Sequence, residues 1–275
     1  MKWTLIADSC CDLRDEDLTD ENVTFKTVPL VLTLGNDDFV DDETLDTGAF
    51  IPKMRAAKTL RSACPSPEAF MQHMRDNDNI IIVTLSSKLS GTHQSATLAV
   101  EQIKSEFPNK KVFLLDSLSA CAGMASILFR TKDLIDKGLT FDEVTAKLPD
   151  IRSKTRVRFL LQDLSNLVKT GRLGRIVGAL VGITPLKLVC GDDGQGEIKK
   201  FGAALGTRKG LLKLSDFATD TENNSQVVIA HAHNEPDASF LKALLEKLGV
   251  KNIKTVLMRG VSTFYANDRG VVLAY

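Results

Sequence analysis

The segment Leu85-Ser86-Ser87-Lys88-Leu89-Ser90-Gly91-Thr92-His93-Gln94-Ser95-Ala96 gathers hydroxyl groups around one glycine, just after the apolar run Ile80-Ile81-Ile82-Val83. The run reads as a strand, and the residues from Thr92 to about Lys104 read as a helix. The hydroxyls therefore fall at a strand-to-helix turn. A helix start offers unpaired N–H groups and the positive end of a dipole, and both attract an anion. Ser90 and Thr92 add hydroxyl donors, and Gly91 lets a ligand approach the backbone. The same residues also suit a plain N-cap.

Other chemistry fits less well. A serine hydrolase using Ser87 or Ser90 needs a base, and the chain offers His73, His93, His231 and His233. The nucleophile-elbow pattern G-x-S-x-G is missing. His93 reads as helix surface. His231-Ala-His233 follows a strand, and alternation predicts both rings on one face, but no third metal ligand lies nearby in sequence. A binder of nucleotides or phosphosugars is a further alternative, without a Walker A or G-x-G-x-x-G pattern.

The elements that must position the hydroxyls follow from periodicity. Trp3–Ala7, Ile80–Leu85 and Lys111–Leu115 read as strands ending in Asp8-Ser9, Ser86-Ser87 and Asp116-Ser117. Val28–Leu32 is another extended run, and Pro29 suggests a sheet edge. Ser66-Pro67-Glu68 opens a helix to about Arg75. A helix from Gly123 to Lys137 stops at Gly138, and Thr140–Glu143 is a capping box. This alternation predicts a mostly parallel sheet with helices on both faces, which binds ligands beyond its carboxyl ends.

The second half differs. Leu160, Leu161, Leu164, Leu167 and Val168 have helical spacing up to Gly171. Pro185–Cys190 and Glu197–Leu205 read as a hairpin, and Thr207–Phe217 as a helix. Val227–Ala230, Ile253–Met258 and Gly270–Tyr275 read as strands, with a helix at Asp237–Leu248. The expected fold is α/β: an N-terminal three-layer domain over 1–155, and an α+β domain over 156–275 with a mixed or antiparallel sheet.

Bulk properties limit the partners. The 275 residues are 43% hydrophobic and 25% charged, and 35 Lys/Arg balance 35 Asp/Glu. Nothing asks for nucleic acid. The stretch Arg152–Arg175 is rich in Lys and Arg and carries one acid, Asp163, which suits a basic surface or a solvated helix face. The start lacks the apolar stretch of a signal peptide, and Ile176–Cys190 falls short of a membrane span. Five unpatterned cysteines argue against a disulfide framework and for a cytoplasmic protein.

Taken in order, the motifs resemble the DegV family. They are Asp8-Ser9-x-x-Asp12-Leu13, Val28-Pro29-Leu30, Ser62-Ala63-Cys64-Pro65-Ser66, Leu85–Ala96, Asp116-Ser117 and Gly171-Arg172. The resemblance implies two α/β domains holding one long-chain fatty acid between them, with no cofactor and no chemistry of their own. Some such proteins are carrier subunits that present the acid to a separate fatty acid kinase, which makes an acyl phosphate. It further implies that Ser62 and Ser90 hold the carboxylate beside Gly91 and Thr92, with Arg172 as the nearby cation. Transient contact with a membrane surface is compatible with such a role. This chain departs from the pattern at Ala63-Cys64, at Ile183-Thr184-Pro185, and at Ala266–Gly270, where a His-x-Gly-Pro-Gly is usual.

Burying acyl chain is worth about 0.8 kcal/mol per CH₂, so a sixteen-carbon tail gains roughly 10 kcal/mol before costs. Candidate tail contacts at helical spacing are Phe70, Met74, Leu118, Met124, Ile127, Leu128, Leu161, Leu164 and Leu167, though such residues are more often ordinary core than ligand wall.

Overall fold

A computed structural model describes residues 2–173, 186–218 and 226–275. The first half runs β1 (Trp3–Asp8), α1 (Asp15–Leu18), β2 (Val23–Val28), β3 (Val31–Leu34), β4 (Asp37–Val40), α2 (Thr47–Ala56), β5 (Leu60–Ala63), α3 (Pro67–Met71), β6 (Asn79–Thr84), α4 (Thr92–Glu106), β7 (Lys111–Asp116), α5 (Ala122–Asp136) and α6 (Phe141–Lys154). The second half runs β8 (Val157–Leu160), α7 (Ser165–Lys169), β9 (Leu186–Asp192), β10 (Ile198–Leu205), α8 (Thr207–Phe217), β11 (Val227–His231), α9 (Glu235–Lys247), β12 (Ile253–Leu257), α10 (Gly260–Ala266) and β13 (Val271–Ala274).

The fold is mixed α/β. Apolar runs on both faces build a parallel sheet ordered β2-β1-β6-β7. Alternation splits it: Ile6, Ile80 and Ile82 pack under α3 and α4, whereas Leu5, Ile81 and Val83 face a core shared with α5 and α6. The C-terminal sheet, ordered β10-β9-β8-β13-β11-β12, is antiparallel except for the β11–β12 pair. Its outer face, with Leu160, Ile229 and Leu273, is covered by α8 and α9. Its inner face, with Phe159, Val228 and Val272, joins the same core as α5. One apolar layer thus lies between the two sheets.

Several predicted elements shift. The extended run at Val28–Leu32 is two strands in different sheets, β2 and β3, because Pro29 offers no N–H to continue a ladder. The helix at Pro67 ends at Met71, short of Arg75. The leucines from Leu160 do not form one helix: Leu160 closes β8, and only Ser165–Lys169 is helical. Pro185 of the predicted hairpin, the departure at Ile183–Pro185 and most of the apolar run from Ile176 lie outside the described residues. The basic stretch is not one surface. Arg158 is buried against Asp192 at 3.5 Å, with its guanidinium 3.5 Å from the Phe201 ring centre.

A third, small sheet, β4-β3-β5, leads into a buried polar clamp. Asp41, just after β4, accepts the N–H groups of Gly260 (2.7 Å) and Val261 (2.9 Å), the first residues of α10. Arg259 fills the space beside it. Its guanidinium donates to the Asp41 carbonyl at 3.0 Å, the Leu13 carbonyl at 3.1 Å, and Thr27 and Glu43, both at 3.2 Å. The Arg259 N–H donates to Asp12 Oδ1 at 2.8 Å. Replacing Asp41 by alanine leaves the buried N–H groups of Gly260 and Val261 without their acceptor, while Arg259 keeps Glu43 and the residue-41 carbonyl. The expected cost is about 2–5 kcal/mol in urea unfolding; a cost below about 1 kcal/mol contradicts the clamp.

Burial pushes the carboxyls of Asp8 and Asp12 up to about 7, against the lowering effect of the hydrogen bonds they accept. In the unfolded chain they titrate near about 3.9. The folded state therefore binds more protons between about pH 4 and 7, and stability from these groups falls as pH rises through that window. Asp12→Asn keeps the acceptor for Arg259 and tolerates the φ of 63°. Unfolding titrations at pH 5 and 8 should show a smaller fall for this variant than for the parent protein; an equal fall contradicts the assignment.

Candidate functional site

The carboxyl ends of β1, β6 and β7 lie side by side, and backbone donors stitch their turns together. Asp8 accepts the Leu85 N–H at 2.7 Å and the Cys10 N–H at 3.1 Å. Asp116 Oδ1 accepts the Ser87 and Leu118 N–H groups, each at 3.1 Å. The Ser86 N–H reaches the Ser119 carbonyl at 2.8 Å, and the Cys121 N–H reaches that of Cys10 at 2.9 Å. These bonds hold three adjoining turns as one rim. Leu118 (φ 50°) and Cys121 (φ 53°, ψ −128°) take backbone conformations costly for side-chain-bearing residues, held by this network.

Beyond the rim lies a cavity of about 910 Å³, its open mouth included. Ser62, Ser90 and Arg172 all line it. Ser62 sits on β5, opposite Leu32 of β3, so it is a strand residue and not part of a turn before a helix. Its hydroxyl meets that of Tyr265 at 2.7 Å. Ser90 precedes the Gly91 N-cap of α4; its Oγ lies 2.9 Å from Thr92 Oγ1 and accepts the Thr92 N–H at 3.3 Å. Arg172 donates to the carbonyls of Leu89 (3.3 Å) and Thr170 (2.7 Å), and its guanidinium carbon stands 5.7 Å from the Tyr265 ring centre. Gly91 and Thr92 do not line the cavity. Thr92 is fully buried and orients Ser90, while Gly91 faces Cys64.

Of the predicted tail contacts, Leu118, Leu161 and Leu167 line the cavity. Met124, Ile127, Leu128 and Leu164 are core beside it, and Phe70 and Met74 pack on the far face of the parallel sheet. The departed stretch from Ala266 follows directly on Tyr265, which brings a hydroxyl to Ser62. Tyr265 escaped the sequence reading because α10 is short and has no strong period; an aromatic residue with a polar tip was its one signal. Burial pushes its phenol up, while Ser62 and Arg172 pull it back.

The histidines do not form a catalytic base or a metal site with these groups. His93 bonds Thr84 at 3.0 Å, and no described histidine bonds Ser87 or Ser90. His231 ends β11, accepting the Asn234 N–H, whereas His233 (φ 48°) has left the strand and bonds Thr47 at 2.7 Å. The alternation that put both rings on one face stops before His233. Among the described residues no group of three or more potential metal ligands occurs.

The DegV family model matches residues 2–274. The chain belongs to the DegV family. A DegV domain-containing protein of Streptococcus pyogenes serotype M18 is 35% identical over 281 residues, covering 100% of this chain and 99% of its own. Among solved structures, the Streptococcus pneumoniae Fatty Acid Kinase (Fak) B3 protein loaded with linoleic acid is 33% identical, with a TM-score of 0.95 and coverage of 100% and 99%. A DegV family protein from Ruminococcus gnavus, refined with vaccenic acid, is 30% identical with a TM-score of 0.92, covering 100% of this chain and 99% of that one.

In this DegV chain the β9–β10 hairpin closes one side of the cavity. Ser86 Oγ donates to the Gly196 carbonyl at 2.8 Å. Gly196 has φ of 94°, and a Cβ there would stand 2.4 Å from Ser86 Oγ. Gly196→Ala should therefore break this latch and speed amide exchange at residues 193–197, with little change at β8 or β13. Unchanged exchange in the loop contradicts the latch.

Proposed function

We propose that this DegV protein binds one long-chain fatty acid between its two sheets, with residues 1–155 and 156–275 acting as two lobes over the lipid. The observation that carries this reading is the cavity itself. Its wall is mainly aliphatic and aromatic, and Ser62, Ser90, Arg172 and Tyr265 all open onto it. Solved relatives loaded with linoleic and vaccenic acid support the ligand class. The apolar wall takes the tail and sets affinity. Ser62 and Ser90 hold the carboxylate as hydroxyl donors, and Arg172 offsets its charge.

The protein acts as a carrier and not as an enzyme, in the cytoplasm and without a cofactor. The likeness to the Fak B3 protein supports presentation of the carboxylate to a separate kinase subunit that forms the acyl phosphate. Each hydroxyl–carboxylate bond contributes about 1.5–3 kcal/mol. Ser62→Ala with Ser90→Ala should weaken palmitate binding by at least about tenfold per hydroxyl. It should still bind lipid weakly, yet fail to support acyl-phosphate formation with its kinase. Unchanged acyl-phosphate formation by the double variant rules the reading out.

A further inference from the structure

The two serines assigned to the carboxylate are not held alike. Ser90 Oγ accepts the Thr92 N–H at 3.3 Å and lies 2.9 Å from Thr92 Oγ1, so the backbone helps to fix it. Ser62 Oγ has one hydrogen-bond partner among the described residues, the Tyr265 phenol at 2.7 Å. A serine proton rotates about its C–O bond to suit its surroundings. Whatever bonds the Ser62 oxygen therefore decides where its proton points.

Tyr265 is placed to make that decision. It stands on α10, whose start is clamped by Asp41. Its ring meets that of Phe264 edge-on, with centroids 4.9 Å apart, and the Arg172 guanidinium carbon lies 5.7 Å from its centre. Ser62, Arg172 and Tyr265 line the same cavity. Burial pushes the phenol up from its ordinary value, so the group keeps its proton at neutral pH. Of the two hydroxyls the phenol is the stronger acid and the better donor. With the phenol proton on Ser62 Oγ, the Ser62 proton is turned away from Tyr265. Donors aligned in a chain polarise and strengthen one another.

We propose that Tyr265 is a positioning residue for the head group, resting on the fatty-acid reading above: its phenol donates to Ser62 Oγ and so aims the Ser62 O–H at the carboxylate. An uncharged head group on the same tail gains little from this alignment, so Tyr265 favours the ionised acid over the alcohol.

The test is a double-mutant cycle on the full-length protein, reading displacement of a fluorescent fatty-acid probe by palmitic acid and by hexadecanol. Tyr265→Phe keeps the ring and should weaken palmitic acid binding about tenfold, with hexadecanol left nearly unchanged. In a Ser62→Ala background the same change should cost no further palmitic acid affinity, because the phenol acts through Ser62. Retained hexadecanol binding shows that the variants are folded. Unchanged palmitic acid affinity in Tyr265→Phe, an equal loss with hexadecanol, or losses that add across the cycle overturn the proposal and leave fatty-acid binding standing. Failure of palmitic acid to displace the probe from the parent protein overturns both readings.

Discussion

The clamp that Asp41 makes on the start of α10 is the interaction on which the site depends. It ties a residue from the small sheet in the first half of the chain to a helix more than two hundred residues later. Two backbone N–H groups at a helix start meet a carboxylate, a pairing favoured by both hydrogen bonding and the helix dipole. Gly260 is required there, since a Cβ would stand 2.6 Å from Asp41 Oδ1. Arg259 then neutralises a place where Asp12 and Asp41 are both buried. Without these contacts Tyr265 has no fixed position opposite Ser62, and the head of the cavity loses one wall.

The rim on the other side is built by a different economy of groups. Carboxylates at strand ends accept turn N–H groups that would otherwise be unpaired, so the turns after β1, β6 and β7 hold one another in place. This leaves the hydroxyls of Ser62 and Ser90 paired only with other hydroxyls or a weak N–H contact. Hydroxyl pairs can turn to face an anion at little cost, whereas carboxylates locked on N–H groups cannot. The division leaves the acids near the rim structural and the serine hydroxyls free to turn.

Much of this arrangement was legible in the sequence. The strand ends at Asp8 and Asp116, the polar turn at Ser86-Ser87, the capping box at Thr140 and the helix Thr207–Phe217 follow from alternation and capping chemistry, which are local. So does the cluster around Ser90, because it lies at a strand-to-helix turn. What was not legible depends on distant contacts. Ser62 looked like a turn residue because Pro65 and Ser66 follow it, yet pairing with β3 draws it into a strand. The leucines after Leu160 kept a helical period by coincidence, since β8 and α7 bury them for unrelated reasons. Tyr265 and the contacts of Asp12 and Asp41 with the Arg259 region join positions far apart in the chain, and no local pattern marks those meetings.

The most direct test of the central claim, a fatty acid held between the two sheets, is mass spectrometry of the purified protein, first native and then after solvent extraction. The account predicts a long-chain fatty acid at one per chain, lost on extraction and regained on adding free acid. A protein that carries no lipid and takes up none would contradict it, and would move a phosphorylated ligand at the Ser90 turn ahead.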